Sequence, residues 1–334
     1  MNEGKVMDNK VVLSGMRPTG KLHLGHLHGV LENWKNLQEQ YHCLFFVADW
    51  HSLTSEYADT KEIKANIDEM IIDWLSFGID PEKAVIFIQS RVMEHAELHL
   101  LLSMITPLSW LERVPTYKEQ MDNIRDKDLG TYGFLGYPLL QSADILLYKA
   151  DFVPVGVDQV PHVEFTREVA RRFNFLYNKD VLPEPQHLLT SYPKLPGTDG
   201  RKMSKSYNNS IYLSDSDEEI TKKIKTAVTD PQRIRRNDPG DPEVCPIYAY
   251  HGIYSTSDEK DHVAKGCRSA EIGCIECKKI LTDNVLRELV PIRARREELM
   301  KDPGRVAAIV EEGTRKAGAL AAKTMKEVRE AMRI

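Results

Sequence analysis

Val11-Val12-Leu13-Ser14-Gly15-Met16-Arg17-Pro18-Thr19-Gly20-Lys21-Leu22-His23-Leu24-Gly25-His26 sets a short apolar run, a turn-rich stretch and the start of a helical pattern in a row. Leu27, Val30, Leu31, Trp34 and Leu37 follow on one helical face, so the segment reads as strand, loop, helix. The same alternation continues downstream. Residues 43–48 and 84–88 are uninterrupted apolar runs of strand length, and 60–77 between them places Ile63, Ile67, Met70, Ile71 and Trp74 on one side of a helix. Apolar strands without polar alternation belong to a sheet covered on both faces, and the amphipathic helices between them supply the covers. The expected class is therefore α/β, a doubly wound parallel sheet.

Residues 106–136 break this alternation with Pro107, Pro115 and the glycines Gly130, Gly133 and Gly136, and read as an insertion between two halves of the sheet. The pattern then resumes with a helix over 137–149, Pro138 in its first turn, a strand over 152–155 and a helix over 160–173. Beyond a loop around Gly197 and Gly200 it turns helical, over 218–229, 284–300 and 305–332. A Rossmann-like domain over 1–215 and a helical domain over 216–334 are expected.

The 334 residues are 42% apolar and 28% charged, which excludes disordered and collagenous chains. No apolar run approaches the ~20 residues of a membrane-spanning helix. The polar start MNEGKVMDNK lacks the form of a secretory signal, so a cytoplasmic location without a membrane partner is expected. Net charge is 45 − 50 = −5, which excludes a uniformly basic, DNA-coating surface. The first 215 residues carry 22 basic and 29 acidic side chains and the remainder 23 and 21, so the basic surplus lies in the last third. A local RNA footprint there remains open.

Two stretches carry phosphate chemistry. In the opening segment His23 and His26 flank Leu24-Gly25 where a strand hands over to a helix, so backbone donors, the positive helix end and two imidazoles can converge on an anion. Taken alone, the pair also reads as surface histidines beside a cap. Lys202-Met203-Ser204-Lys205-Ser206 puts two lysines three apart on a glycine-hinged loop, able to fold over a polyphosphate and neutralise a leaving group. Taken alone, it also reads as a solvated loop. Together, in this order and on an α/β pattern, the two stretches resemble the motif pair of class I aminoacyl-tRNA synthetases, and the resemblance covers nearly the whole chain.

A narrower resemblance selects the amino acid. Tyr137, Gln141, Asp144 and Tyr148 share one face of a helix otherwise made of Leu, Ala and Ile; alone, this stripe also reads as a solvated face. Followed by Val153-Pro154-Val155-Gly156-Val157-Asp158-Gln159, it resembles the substrate-pocket segment of bacterial tryptophanyl-tRNA synthetases. That resemblance implies that Asp144 accepts the indole N–H, that Tyr137 and Gln159 hold the amino group, and that Gly15, His51 and Gln141 belong to the tryptophan pocket. It places Gly156 and Asp158 at the ATP ribose, with Val157 also at ATP. It assigns Arg17, Pro18, Thr19, Gly25, His26, Lys202, Met203, Ser204, Lys205 and Ser206 to ATP, and makes His23, His26, Lys202 and Lys205 catalytic. An indole nitrogen only donates and an ionised carboxylate only accepts, which suits Asp144. Gln141 departs from the pattern, since bacterial members carry an apolar Met there.

Cys245, Cys267, Cys274 and Cys277 fall within 33 residues, which in a cytoplasmic chain suggests metal before disulfide; incidental thiols are the other reading. Only the last two form the close pair that a zinc ribbon repeats. The spacing resembles a subset of tryptophanyl-tRNA synthetases with a 4Fe-4S cluster near the anticodon-binding region, which would make the four cysteines its ligands. Cys43, Trp34 and Trp74 read as core, and nothing near His95 and His99 completes a metal site.

The resemblance thus implies a homodimeric tryptophan–tRNA ligase, with 106–136 contributing to the dimer interface. It would use ATP with Mg²⁺ to form tryptophanyl-adenylate and pass tryptophan to the terminal ribose of tRNA(Trp). A tyrosyl-tRNA synthetase shares the fold and motifs. A small nucleotidylyltransferase shares the histidine motif but is commonly shorter. A non-catalytic paralogue that senses tryptophan or binds RNA is the alternative of another class, against which the intact lysine loop stands.

Overall fold

The computed structural model describes residues 10–115, 117, 128–189 and 195–334. The chain divides into two compact units. The first comprises Met1–Gly20, Asn33–Ser191 and Asp302–Ile334, the second Lys21–Glu32 and Tyr192–Lys301.

The first unit is built on a parallel sheet of β1 (Val11–Met16), β2 (His42–Val47), β3 (Ala84–Ile88), β4 (Phe152–Val155) and β5 (Gln186–Leu189) in the order β3-β2-β1-β4-β5. Cys43 to Val47 and all of β3 are buried, as the unbroken apolar runs require of strands covered on both faces. Strand order runs outward from β1 on one side, then crosses back to β4 on the other, with Val12 of β1 registered against Phe152 of β4. The β1–β4 seam is therefore the topological switch point.

In chain order the helices are α1 (Leu24–His26), α2 (Glu32–Leu37), α3 (Asp49–Glu56), α4 (Ile63–Phe77), α5 (Glu94–Ser103), α6 (Leu108–Leu111), α7 (Tyr132–Leu147) and α8 (Val160–Tyr177). They continue with α9 (Asp217–Thr226), α10 (Pro246–Tyr254), α11 (Ser257–Arg268), α12 (Cys274–Lys301) and α13 (Pro303–Met332). A π-helical turn, Leu27–Leu31, joins α1 to α2. The expected class, a Rossmann-like parallel sheet with helices followed by a helical region, is the one found. Among the described residues no helix is long and apolar enough to cross a membrane.

Boundaries differ where caps outweigh periodicity. The helix expected over 137–149 starts at Tyr132, because Thr131 Oγ1 accepts the Phe134 N–H at 3.2 Å, and Pro138 then lies inside the helix. Helix α12 begins ten residues before the expected 284 and takes in Cys274 and Cys277. Residues 116 and 118–127 of the expected 106–136 insertion lie outside the described residues.

Packing in the first unit is aromatic beside β2 and close at the sheet edge. Trp34 stacks on Phe45 at 4.3 Å between ring centroids and meets Trp74 edge-on at 4.9 Å. Helix α13 covers edge strand β3, with Gly313 so near that a Cβ there would overlap the Ile86 carbonyl oxygen. Ala317, Ala321, Met325 and Val328 continue the buried face. In the second unit Ile220 and Ile224 of α9, Tyr250 of α10 and Leu281, Val285 and Leu289 of α12 are among the buried apolar residues.

Gly313→Ala should therefore destabilise the fold by about 1–3 kcal/mol, the usual cost of overpacking. Gly318→Ala, on the same helix with nothing near its Cβ position, should be neutral or stabilising by up to ~1 kcal/mol. Denaturant midpoints of the two variants check this; equal effects would contradict the close approach.

Candidate active site

In an open α/β sheet, ligands bind at the carboxyl ends of the strands beside the switch point. Here Arg17 follows β1, Asp49 to His51 follow β2, Gln89 follows β3 and Gly156 to Gln159 follow β4. All belong to the first unit.

Asp144, on α7, is the centre of this set, with 1% of its surface exposed. Its Oδ1 accepts from Gln89 Nε2 at 2.8 Å and His95 Nδ1 at 2.7 Å, and its Oδ2 from His51 Nε2 at 2.7 Å. Burial alone would raise its pKa; the hydrogen bonds and charges of His51 and His95 hold it far below the usual carboxylate range. An ionised carboxylate has about four acceptor positions. Among the described residues three are filled, which leaves the fourth on Oδ2. Tyr148 sits behind His95, its hydroxyl 2.8 Å from Nε2, and burial pushes its pKa well above the ordinary phenol value. Because an ionised carboxylate only accepts, the Nδ1–H of His95 donates to Asp144.

Tyr137 lies on the same face of α7 about two turns before Asp144, its ring 5.6 Å from that of His162. Burial lowers the His162 pKa to about 4, with His51 adding to the effect. Arg17 Nη2 donates to Ser55 Oγ at 2.5 Å, and its buried Nε has no partner among the described residues. Burial also lowers the pKa of this guanidinium. Gly15 allows the Phe46 ring against its backbone, where a Cβ would collide. Pro18 is buried and Thr19 exposed, with the Thr19 N–H on the Arg17 carbonyl at 2.8 Å.

After β4 the side chains turn toward one another. A Cβ on Gly156 would stand 2.7 Å from Asp158 Oδ1, and Gln159 Nε2 donates to Asp158 Oδ2 at 3.1 Å. Val157 and Asp158 are exposed, and Gln141 is half-buried on α7.

The phosphate motifs meet in the second unit. Leu24 N–H bonds the Ile211 carbonyl and Leu213 N–H the Leu22 carbonyl, both at 3.0 Å. His23 caps α1: its Nδ1 accepts the Gly25 N–H at 3.1 Å, while His26 Nδ1 accepts the His23 N–H at 3.2 Å. Burial first, then Lys205, lowers His23 to about 4; burial, His23 and Lys205 push His26 well below its ordinary value. Both rings are therefore neutral near pH 7. With Nδ1 accepting a backbone N–H in each, the ring proton is on Nε2, so each ring offers one N–H donor.

The lysine loop is held by a residue that sequence reasoning passed over. Asn209, buried, donates to Asp199 Oδ1 at 2.7 Å and the Lys202 carbonyl at 3.0 Å, and accepts the Ser204 N–H at 2.8 Å. Burial lowers Lys205 to about 8, and Met203 Sδ lies 3.9 Å from where a Gly25 Cβ would stand. Lys202 is exposed, and the Ser206 side chain lies outside the described residues.

The four cysteines also gather in the second unit, all as free thiols. Burial, and after it negative charge on Cys245, Cys274 and Cys267, raises Cys277 to about 12. Cys267 is raised by burial and eased by Arg233, whose Nη1 lies 3.6 Å from its Sγ. Cys277 Sγ is 3.3 Å from His251 Nε2. Among the described residues no group of three or more His, Cys, Asp or Glu side chains is placed to hold a single metal ion.

Gln89, His95, His162 and Asn209 were not expected at the site. Gln89 carried a signal, its place directly after an apolar strand; His95 acts through a partner distant in sequence, and Asn209 through the fold of its own loop.

The family described as tRNA synthetases class I (W and Y) matches residues 7–289. The tryptophan–tRNA ligase of Thermotoga maritima is 56% identical over 325 residues, covering 97% of this chain and 99% of that protein. The one of Ralstonia nicotianae is 49% identical over 390 residues, covering 96% and 98%. The crystal structure of tryptophanyl-tRNA synthetase from Campylobacter jejuni, complexed with ADP and tryptophan, superposes with a TM-score of 0.88 at 32% identity, covering 97% of this chain and all of that one. The chain accordingly belongs to the class I tRNA synthetases, among the bacterial tryptophanyl-tRNA synthetases.

Proposed function

We infer that the chain is a tryptophan–tRNA ligase, and that Asp144 selects its amino acid. The observation that carries the selection is the remaining acceptor position on a fully buried, ionised carboxylate, which suits a donor-only indole nitrogen. Tyr137 and Gln159 are proposed to hold the amino group, with Gly15, His51 and Gln141 at the same pocket. Gln159 must turn away from Asp158 to do so. Asp158 and Gly156, with Val157, are proposed at the ATP ribose.

The tryptophan carboxylate attacks the α-phosphate of ATP, pyrophosphate leaves, and the terminal ribose hydroxyl of tRNA(Trp) then takes the aminoacyl group. No side chain acts as a nucleophile; catalysis is positioning and charge stabilisation. His23 and His26 donate from Nε2, Lys202 and Lys205 neutralise the departing pyrophosphate, and Arg17, Pro18, Thr19, Gly25, Met203, Ser204 and Ser206 complete the nucleotide site. Mg²⁺ enters with ATP and shares the phosphate charge. Residues 1–215 are proposed as the catalytic part and 216–334, with the basic surplus, as the part that meets the anticodon arm, although Asp302–Ile334 of the latter packs within the first unit. The chain pairs with a second copy beside 106–136, where Leu100, Met104 and Leu108 are exposed apolar residues; a sedimenting mass of one chain would refute the pairing.

The four cysteines are proposed to hold a 4Fe-4S cluster. In its support, burial and then the charges of Cys245 and Cys274 raise both Cys267 and Cys277, so the four sulfurs lie near one another and a cationic iron core would relieve the repulsion. When bound, the cluster supplies a structural cross-link and takes no part in the reaction. Protein prepared without oxygen should contain about four irons per chain; stoichiometric zinc or no metal would refute the cluster and leave the ligase untouched.

ATP–pyrophosphate exchange tests the function. Tryptophan should support it, with tyrosine and phenylalanine at least about two orders of magnitude poorer. Lys205 is charged below about 8 and neutral above, so the rate should fall as pH rises through that value. Lys205→Arg should remove the fall. Equal exchange with tyrosine would sink the tryptophan assignment, and an alkaline limb unchanged in Lys205→Arg would sink the role of Lys205.

A further inference from the structure

We propose that His251 is a positioning residue for the four-cysteine site, held so that its Nε2–H donates to the Cys277 sulfur; this rests on the cluster reading above. His251, on α10, is wholly buried. Its Nε2 is 3.3 Å from Cys277 Sγ and its Nδ1 2.7 Å from Ser255 Oγ. Neither contact alone fixes which nitrogen carries the proton.

The next residues narrow the choice. Asn284, buried on α12, directs its amide NH₂ to Ser255 Oγ at 3.1 Å and to Glu259 Oε2 at 2.9 Å. An amide nitrogen can only donate. Glu259 is itself anchored, accepting the Thr256 N–H at 2.9 Å in the capping box of α11. A lone pair of Ser255 Oγ is thus taken by Asn284, and its hydroxyl hydrogen is free to turn toward His251 Nδ1.

A Cys277 thiol would permit the reverse order, S–H donating to Nε2 and Nδ1–H to Ser255. A thiolate ligand has no proton to give. Coordination therefore leaves one arrangement in which every buried polar group is paired: Asn284 N–H to Ser255, Ser255 O–H to His251 Nδ1, His251 Nε2–H to Cys277. Residues behind a metal ligand orient it and stabilise its bound form, here by drawing charge from the sulfur. Arg233 does the same at Cys267, its Nη2 tied to the carbonyls of Arg236 at 2.9 Å and Ile272 at 2.7 Å.

The test uses full-length protein prepared without oxygen, as wild type, His251→Leu, His251→Gln and Ser255→Ala. Three quantities are read: iron per chain, the rate at which an Fe(II) chelator removes it, and the Fe–S(Cys) stretching frequencies in resonance Raman spectra. Wild type should retain iron longest. His251→Leu should lose it about 10-fold faster or more and shift the Fe–S(Cys) bands. His251→Gln, which keeps an N–H donor, should recover most of the difference, and Ser255→Ala should fall between. Four irons in every variant with unchanged rates and bands would overturn the role of His251 while the cluster stands. A wild type without iron would overturn both. Should His251→Leu fail to fold, a Ser255→Ala protein indistinguishable from wild type would overturn the relay.

Discussion

A carboxylate with 1% of its surface exposed stays ionised only if its neighbours replace water as donors. Asp144 meets that condition with three N–H groups drawn from the first turn of α3, the residue after β3 and the start of α5. The requirement ties the ligand edge of the sheet together. Because the folded pKa lies below the unfolded carboxylate value of about 3.9, the network contributes stability above that value. That contribution is lost as pH falls through the folded pKa. The same three bonds determine what a ligand can offer, since what they leave is a lone pair and no donor.

Charge is distributed differently at the phosphate motifs. Two histidines beside a helix start suggest cations, yet burial and Lys205 keep both neutral near pH 7. They serve as oriented donors, and positive charge is left to the lysines. Lys205 itself is partly desolvated, which strengthens its interaction with an anion and lowers its pKa toward the working pH. For the proposed polyphosphate site this division is an advantage, because neutral donors would bind ground-state oxygens without the repulsion that four clustered cations would cause.

The sheet was legible because buried parallel strands leave unbroken apolar runs: 84–88 and 152–155 agree with the strands found. Helix starts were less legible where a cap, such as Thr131, overrides the apolar period. Asp144 and the two phosphate motifs stood out because each joins several chemically specific residues in a short stretch. His95, His162 and Asn209 did not, since a lone histidine or asparagine in the sequence carries no sign of what it will face after folding. His95 lies 49 positions from the carboxylate it serves. The spacing of the cysteines pointed to a shared site, but the His251, Ser255 and Asn284 line behind Cys277 appears only once α10 and α12 are packed.

The claim on which the rest turns is that Asp144 recognises a single N–H. Calorimetry can compare tryptophan with 3-benzothienylalanine, an isostere whose ring carries sulfur in place of the indole N–H. A charge-assisted bond lost from a buried acceptor predicts binding weaker by about 100-fold. Affinities within a factor of about two would contradict it, since the pocket would then be reading shape alone.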